Sequence, residues 1–494
     1  MISRRAFIGM LAAGGAVAWI RLDSLERAAA ESSAIRTIYL EARVVSWELG
    51  PGRTIKAMAY NGRVPGPEIR VREGERVRIV LKNSLGEPTT IHWHGVDVPN
   101  PMDGVPDITQ KPVQPGETFV YEFEARPAGT RWYHTHVQEH RQMDLGLAAP
   151  LIIEPAEPEP MPYDREVTLV LDDWVTGAAN VLPSTREGTA GGRGRMGGMM
   201  GGMMRGGGMM GGRGMGSMMG RGGASHEPAY DTMTINGKAY PTTEPLRLNK
   251  GERVRVRFIN ASNEHTHVVR VGGHRLHVTH TDGNPLDSPV AVDAIPIAPS
   301  ERYDVVLTAE HPGAWLLHCT QPGHAAAGEQ MLVLYEGHST QRPAPPETSL
   351  EGLRVWRYGL GRGRPIGAAP AEAVRTFEQT LSGGMMGNDL WTINGKTWPR
   401  TDPLALARGE HAVVRFRNMS MEAHPMHLHG QSFRVVAING VRLEAPLAKD
   451  SIDVEGHMGS AVVEFTAHNP GDWLFHCHKP THMDGGMMSL VKVR

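Results

Sequence analysis

The chain has 494 residues, with 51 Lys and Arg against 53 Asp and Glu and a formal net charge of −2 with histidine neutral. That balance excludes nucleic acid as a partner, which demands a basic surface. With 59 glycines and 36 prolines and few long amphipathic helical patterns, the composition calls for an all-β architecture with many turns.

The N-terminus carries Arg4-Arg5, an apolar run from Phe7 to Ile20, then Ala28-Ala29-Ala30. Paired arginines, a short apolar region and a small-residue cleavage site predict a Tat-type export signal over residues 1–30. The run is too short for a transmembrane span, so no stable membrane insertion is expected. The mature protein is then expected in the periplasm or outside the cell, delivered by the Tat export machinery. What remains suits about three domains at ~150 residues each.

Domain 1 is expected over residues 36–157 and holds His92-Trp93-His94, Met102-Asp103-Gly104 and His134-Thr135-His136. A Pro- and Glu-rich stretch from Pro155 to Pro162 leads to domain 2, residues 163–337. Within it, residues 191–223 are almost all Gly, Met and Arg, with ten methionines between Met196 and Met219. Such glycine content opposes ordering, and thioether sulfur is a soft ligand suited to Cu(I). A linker over 338–372 precedes domain 3, residues 373–494. There Gly383-Gly384-Met385-Met386-Gly387 repeats the Gly–Met theme in miniature.

Internal repetition supports the division. Thr234-Ile235-Asn236-Gly237-Lys238 recurs 158 residues later as Thr392-Ile393-Asn394-Gly395-Lys396. The same offset carries Trp315 to Trp473, Cys319 to Cys477 and His324 to His482. Both cysteines follow a histidine in nearly the same context, Leu317-His318-Cys319 and Phe475-His476-Cys477, which favours ligands over a disulfide.

Near its end domain 3 carries Trp473-Leu474-Phe475-His476-Cys477-His478, the pattern of a strand on which Cys477 faces one way and the two histidines the other. His482 follows the cysteine by five residues and Met487 follows that histidine by five, so a loop can return both to the sulfur. Cys and His in a trigonal site with a distant axial Met is the blue-copper arrangement. His424-Pro425-Met426-His427-Leu428-His429 offers the missing histidine and a further His-x-His pair. A lone pair of this kind in a strand is usually incidental; four of them, one straddling a cysteine, are not.

These motifs resemble those of the three-domain multicopper oxidases, the laccases and bacterial cuprous oxidases, over roughly residues 36 to 494. The resemblance implies three consecutive cupredoxin-like Greek-key β-sandwich domains and four copper ions. His424, Cys477, His482 and Met487 would hold a type 1 copper, and His92 and His427 a type 2 copper. His94, His134 and His478 would bind one type 3 copper; His136, His429 and His476 would bind the other. Cys477 would carry electrons onward, and Asp103 matches the family carboxylate beside the three-copper cluster. Many bacterial relatives have Glu directly after the type 1 histidine. Here Met483 and Asp484 follow, which leaves Asp484 as the carboxyl on that side.

The implied reaction is one-electron oxidation of a donor coupled to four-electron reduction of dioxygen to water. Export and soft-sulfur segments favour Cu(I) as donor and a role in copper tolerance, with Met385, Met386, Met421 and Glu422 as substrate-copper ligands. Small aromatic donors, as in a general laccase, are one alternative, and a non-catalytic copper-sequestering protein is another. A monomer is expected. Domain 2 departs from the family: Cys319 and His324 repeat the type 1 signature, with His265 or His267 as third ligand. Glu329, Gln330 or Met331 stands at the axial place, Glu329 aligning with Met487. A fifth, type 1-like copper held by His267, Cys319 and His324 is one reading; a relic of domain duplication, with a free thiol packed as core, is the other.

Overall fold

The computed structural model describes residues 35–176, 230–338, 342–364, 374–384 and 390–494. The predicted export signal, the methionine segment 191–223, and Met385 and Met386 lie outside these described residues.

Short strands of alternating burial make up the fold. Arg76–Asn83 is typical: Val77, Ile79, Leu81 and Asn83 are buried and their neighbours are not, the period of two that a half-buried strand requires. The N-terminal double sheet has a first layer in the order Arg53–Tyr60, Arg36–Gly50, Arg76–Asn83, Thr118–Glu124. Its second layer runs Ile69–Arg72, Ala148–Glu154, Gly129–His134, His92–His94. Leu81 and Tyr121 from the first and Trp93, Tyr133 and Ile153 from the second belong to a common apolar core.

The middle and C-terminal regions each pair a six-stranded with a five-stranded sheet, and the strand order is the same in both. Arg165–Trp174 beside Arg253–Asn260 corresponds to Val374–Gly383 beside His411–Asn418, both parallel. Ala314–Cys319 beside His267–Val271 corresponds to Gly471–Cys477 beside His424–Leu428, both antiparallel. The architecture is all-β, three cupredoxin-like double sheets in a row. Among the described residues no helix is long and apolar enough to cross a membrane.

One-turn helices follow the strands that end at Cys319 and Cys477. Pro480–Asp484 starts with a proline, which has no amide hydrogen to leave unpaired at a helix start. Past it, the Met487 amide donates to the His482 carbonyl (3.0 Å) and the Cys477 amide to the Met487 carbonyl (3.1 Å). Cys477, His482 and Met487 are thereby fastened through their backbones.

Candidate metal centres

The strands with paired histidines meet where the first and last double sheets face each other. His92 lies opposite His134 on neighbouring strands, and His427 opposite His476, with Met426 opposite Cys477. Strand alternation then sorts the side chains. Cys477 joins His424 and His482; His476 falls with His136 and His429; His478 falls with His94 and His134; and His92, His94 and His427 form a further group. All of these side chains are buried, as is Met487.

The ligand atoms converge. His424 Nδ1 is 3.1 Å from His482 Nδ1, and Cys477 Sγ is 3.7 Å from the first and 3.6 Å from the second. His92 Nε2 is 3.4 Å from His427 Nε2, and His429 Nε2 is 3.0 Å from His476 Nε2. Two nitrogens bound to one ion at ~2.05 Å and a tetrahedral angle stand about 3.3 Å apart, and a sulfur at ~2.3 Å stands about 3.6 Å from such a nitrogen.

Burial first, and then the neighbouring imidazoles, hold His94, His134, His136, His427, His429 and His478 well below the ordinary histidine value. Burial brings His476 and His482 down to about 4. These rings are neutral near pH 7, with lone pairs to give. Burial pushes the Cys477 thiol up, so the thiolate forms only against a cation. His94 Nδ1, His134 Nε2, His136 Nε2 and His478 Nε2 are buried without a hydrogen-bond partner. Buried polar atoms are seldom left so, and four converging imidazole nitrogens fit metal ions that accept their lone pairs. Imidazole, thiolate and thioether together suit copper.

The outer ring nitrogens are anchored, which fixes which nitrogen faces inward. His92 Nδ1 donates to the Asp103 carbonyl (2.8 Å) and His427 Nδ1 to the Asp450 carbonyl (2.8 Å). His429 Nδ1 donates to Asp103 Oδ2 (2.9 Å), and Asp103 Oδ1 is buried without a hydrogen-bond partner, 3.2 Å from His92 Nδ1. Gly104 keeps Asp103 there: its φ is +85°, and a Cβ would stand 1.9 Å from the Ile91 carbonyl oxygen. Ser420 Oγ lies 2.7 Å from His424 Nε2, and the Trp391 ring stacks on His482 at 3.7 Å.

Asp484 stands apart from this interior: its side chain is 41% exposed and pairs with His140. A carboxyl that the motifs did not point to lies against the histidines instead. Glu139 is buried, 3.5 Å from His134 Nδ1 and 3.6 Å from His136 Nε2. Burial, with Asp484 nearby, raises its carboxyl well above the usual range, and neither oxygen has a hydrogen-bond partner. Glu139 follows His136 by three residues, a spacing that could have singled it out. Asp450 was also missed: its Oδ1 is 3.0 Å from His94 Nε2, 356 residues away, and no local pattern announces it. Met421 and Glu422 lie at the outer edge of the His424–Cys477–His482 group, Met421 being 70% exposed. In the middle double sheet, His267, Cys319 and His324 come together with Glu329, whereas His265 pairs with Asp173.

Three sequence profiles, each described as multicopper oxidase, match residues 42–158, 165–339 and 373–494. The chain belongs to the multicopper oxidases, oxidoreductases that use dioxygen. It is 33% identical over 490 residues to multicopper oxidase MmcO of Mycobacterium tuberculosis, covering 96% of this chain and 90% of that protein. It is 26% identical to copper resistance protein A of Escherichia coli, covering 99% of each. Among solved structures, a multi-copper oxidase from Pseudomonas thermotolerans superposes with a TM-score of 0.68 at 27% identity, covering 93% of this chain and 100% of that one.

Proposed function

We propose that this oxidase takes electrons from Cu(I) near its surface and delivers them to dioxygen inside, as an exported protein serving copper tolerance. Glu422 is the observation that carries the donor. Its Oε2 lies 3.3 Å from His482 Nε2 and 3.4 Å from Lys479 Nζ. The hydrogen bond to His482, aided by the Lys479 charge, holds its carboxyl down at about 2. An anion therefore sits on the outer nitrogen of a ligand histidine. Met419 and Met421 precede it, 45% and 70% exposed, and thioethers beside a carboxylate offer Cu(I) a soft landing. The name of the copper resistance relative supports the same reading.

In this reading His424, Cys477, His482 and Met487 hold type 1 copper, and His92 and His427 hold type 2. His94, His134 and His478 hold one type 3 ion, and His136, His429 and His476 the other. When bound, copper supplies one-electron acceptance at the first site and four-electron reduction of dioxygen to water at the other three. Cys477 is bonded through its own backbone to His476 and His478, so one short covalent stretch joins the two regions. Asp103 Oδ1, which has no hydrogen-bond partner, is placed beside His92 to hold a water there. Glu139, whose carboxyl burial pushes upward, takes the proton-donor place that Asp484 does not reach.

Oxygen uptake with Cu(I), with a phenol and with no donor tests the proposal, in wild type and Met421→Leu. Faster turnover with Cu(I) is expected, and Met421→Leu should lower its kcat/KM about tenfold while phenol stays within about twofold. Faster phenol turnover in wild type, or equal loss of both in the variant, would make the chain a general laccase. Cu(I) bound without oxygen uptake would make it a sequestering protein.

A further inference from the structure

His267, Cys319, His324 and Glu329 form a second closed cluster, all four buried and with ligand atoms within 4.8 Å of one another. Glu329 Oε2 is 2.7 Å from His267 Nδ1 and 3.2 Å from His324 Nδ1, and Cys319 Sγ is 3.5 Å from His324 Nδ1. Glu329 Oε1 is buried without a hydrogen-bond partner.

The surroundings match those of the His424–Cys477–His482 group. His267 lies two residues before Val269, the residue opposite Cys319, just as His424 lies two before Met426, opposite Cys477. Ser262 Oγ takes the outer nitrogen of His267 at 2.6 Å, where Ser420 takes that of His424 at 2.7 Å. Asn260 and Asn418 hold these loops alike, each accepting from the serine amide at 2.9 Å. Backbone amides of Val268 (3.2 Å) and Gln321 (3.5 Å) point at Cys319 Sγ, as suits a thiolate. This is a supported ligand set, with the His267 ring orientated from outside by Ser262.

Two differences set its chemistry apart. Glu329 stands where domain 3 has Met487, so the buried ligands carry two negative charges instead of one. A divalent ion makes that site neutral, while Cu(I) leaves it with a buried net negative charge, which is costly. Thr320 replaces the second flanking histidine, and His318 Nε2 donates to the Glu347 carbonyl at 3.0 Å, so neither neighbour reaches a further metal group. His324 lines a cleft of about 400 Å³ shared with Pro425 and Lys479, which gives an ion its way in.

We infer that His267, Cys319, His324 and Glu329 bind a fifth, divalent metal ion of the Cu(II) or Zn(II) class, held without redox cycling. Binding displaces the Cys319 thiol proton, and the ion pins the middle double sheet at the cleft facing domain 3.

Only two cysteines occur in the chain, which makes the test clean. In Cys477→Ser protein any Cu(II)–thiolate absorption must come from Cys319, and stoichiometric Cu(II) should produce it. Prior Zn(II) suppresses that band if zinc is the tighter occupant, and leaves it in place if copper is. Metal analysis of fully loaded wild type should give five ions per chain, and Cys319→Ser four, with oxygen uptake kept. Glu329→Gln should weaken the fifth ion at least about tenfold. Four ions in wild type together with no thiolate band in Cys477→Ser would overturn the inference, even where Cys319→Ser fails to fold. The Cys319 band in Cys477→Ser protein does not depend on the type 1–3 coppers, so it separates this inference from the proposed function on which the count of five rests.

Discussion

Each buried imidazole binds metal only while neutral, and at the scale of the residue this ties stability to pH. His476 and His482 titrate at about 4 in the folded chain because of burial, against an ordinary value of 6.5. Between those values the unfolded chain holds more protons than the folded one. Their contribution is therefore full above pH 6.5 and is lost as pH falls towards 4. Metal-stripped protein should show a steadily falling unfolding midpoint across that window in a thermal series at pH 7, 5.5 and 4. A flat series would mean the rings are not held neutral by burial. At this scale the carboxyls were hardest to read. Asp103 came from its motif, but Glu139 and Asp484 are both acids near the histidine loops, and only packing shows that the first is buried and the second exposed.

At the scale of the element, what the sequence revealed was periodicity. A His-x-His pair in a strand must face one way, so four pairs announced a shared interior before any fold was known. The two five-residue steps after Cys477 were equally readable, because a one-turn helix and its return loop have a fixed length. The histidine that completes the middle cluster was not. Asn260 to His267 spans one residue more than Asn418 to His424, and that insertion decides whether His265 or His267 turns inward. Only the register of Val269 against Cys319 distinguishes them.

At the scale of the whole molecule one buried carboxylate touches all three double sheets. Asp450 accepts from Arg302 at 2.6 and 2.5 Å, lies 3.5 Å from Arg131 and 3.0 Å from His94, and so ties the middle and N-terminal double sheets to the C-terminal one. No side chain among these is exposed. Removing one partner from such a set leaves buried charges uncompensated, so Asp450→Ala should cost about 3–5 kcal/mol in denaturant unfolding and lower copper content. A loss below about 1 kcal/mol, the range of an exposed pair, would deny it that role.

In the proposed reading the two regions of chemistry meet in the backbone around Cys477. The most direct measurement is oxygen uptake by Cys477→Ser protein with Cu(I) and with a phenol, alongside its circular dichroism and copper content. The double sheets do not depend on one thiol, so the fold should persist, the three-ion centre should still load, and uptake should vanish with every donor. Uptake near the wild-type rate with either donor would contradict the assignment of Cys477 as the electron path.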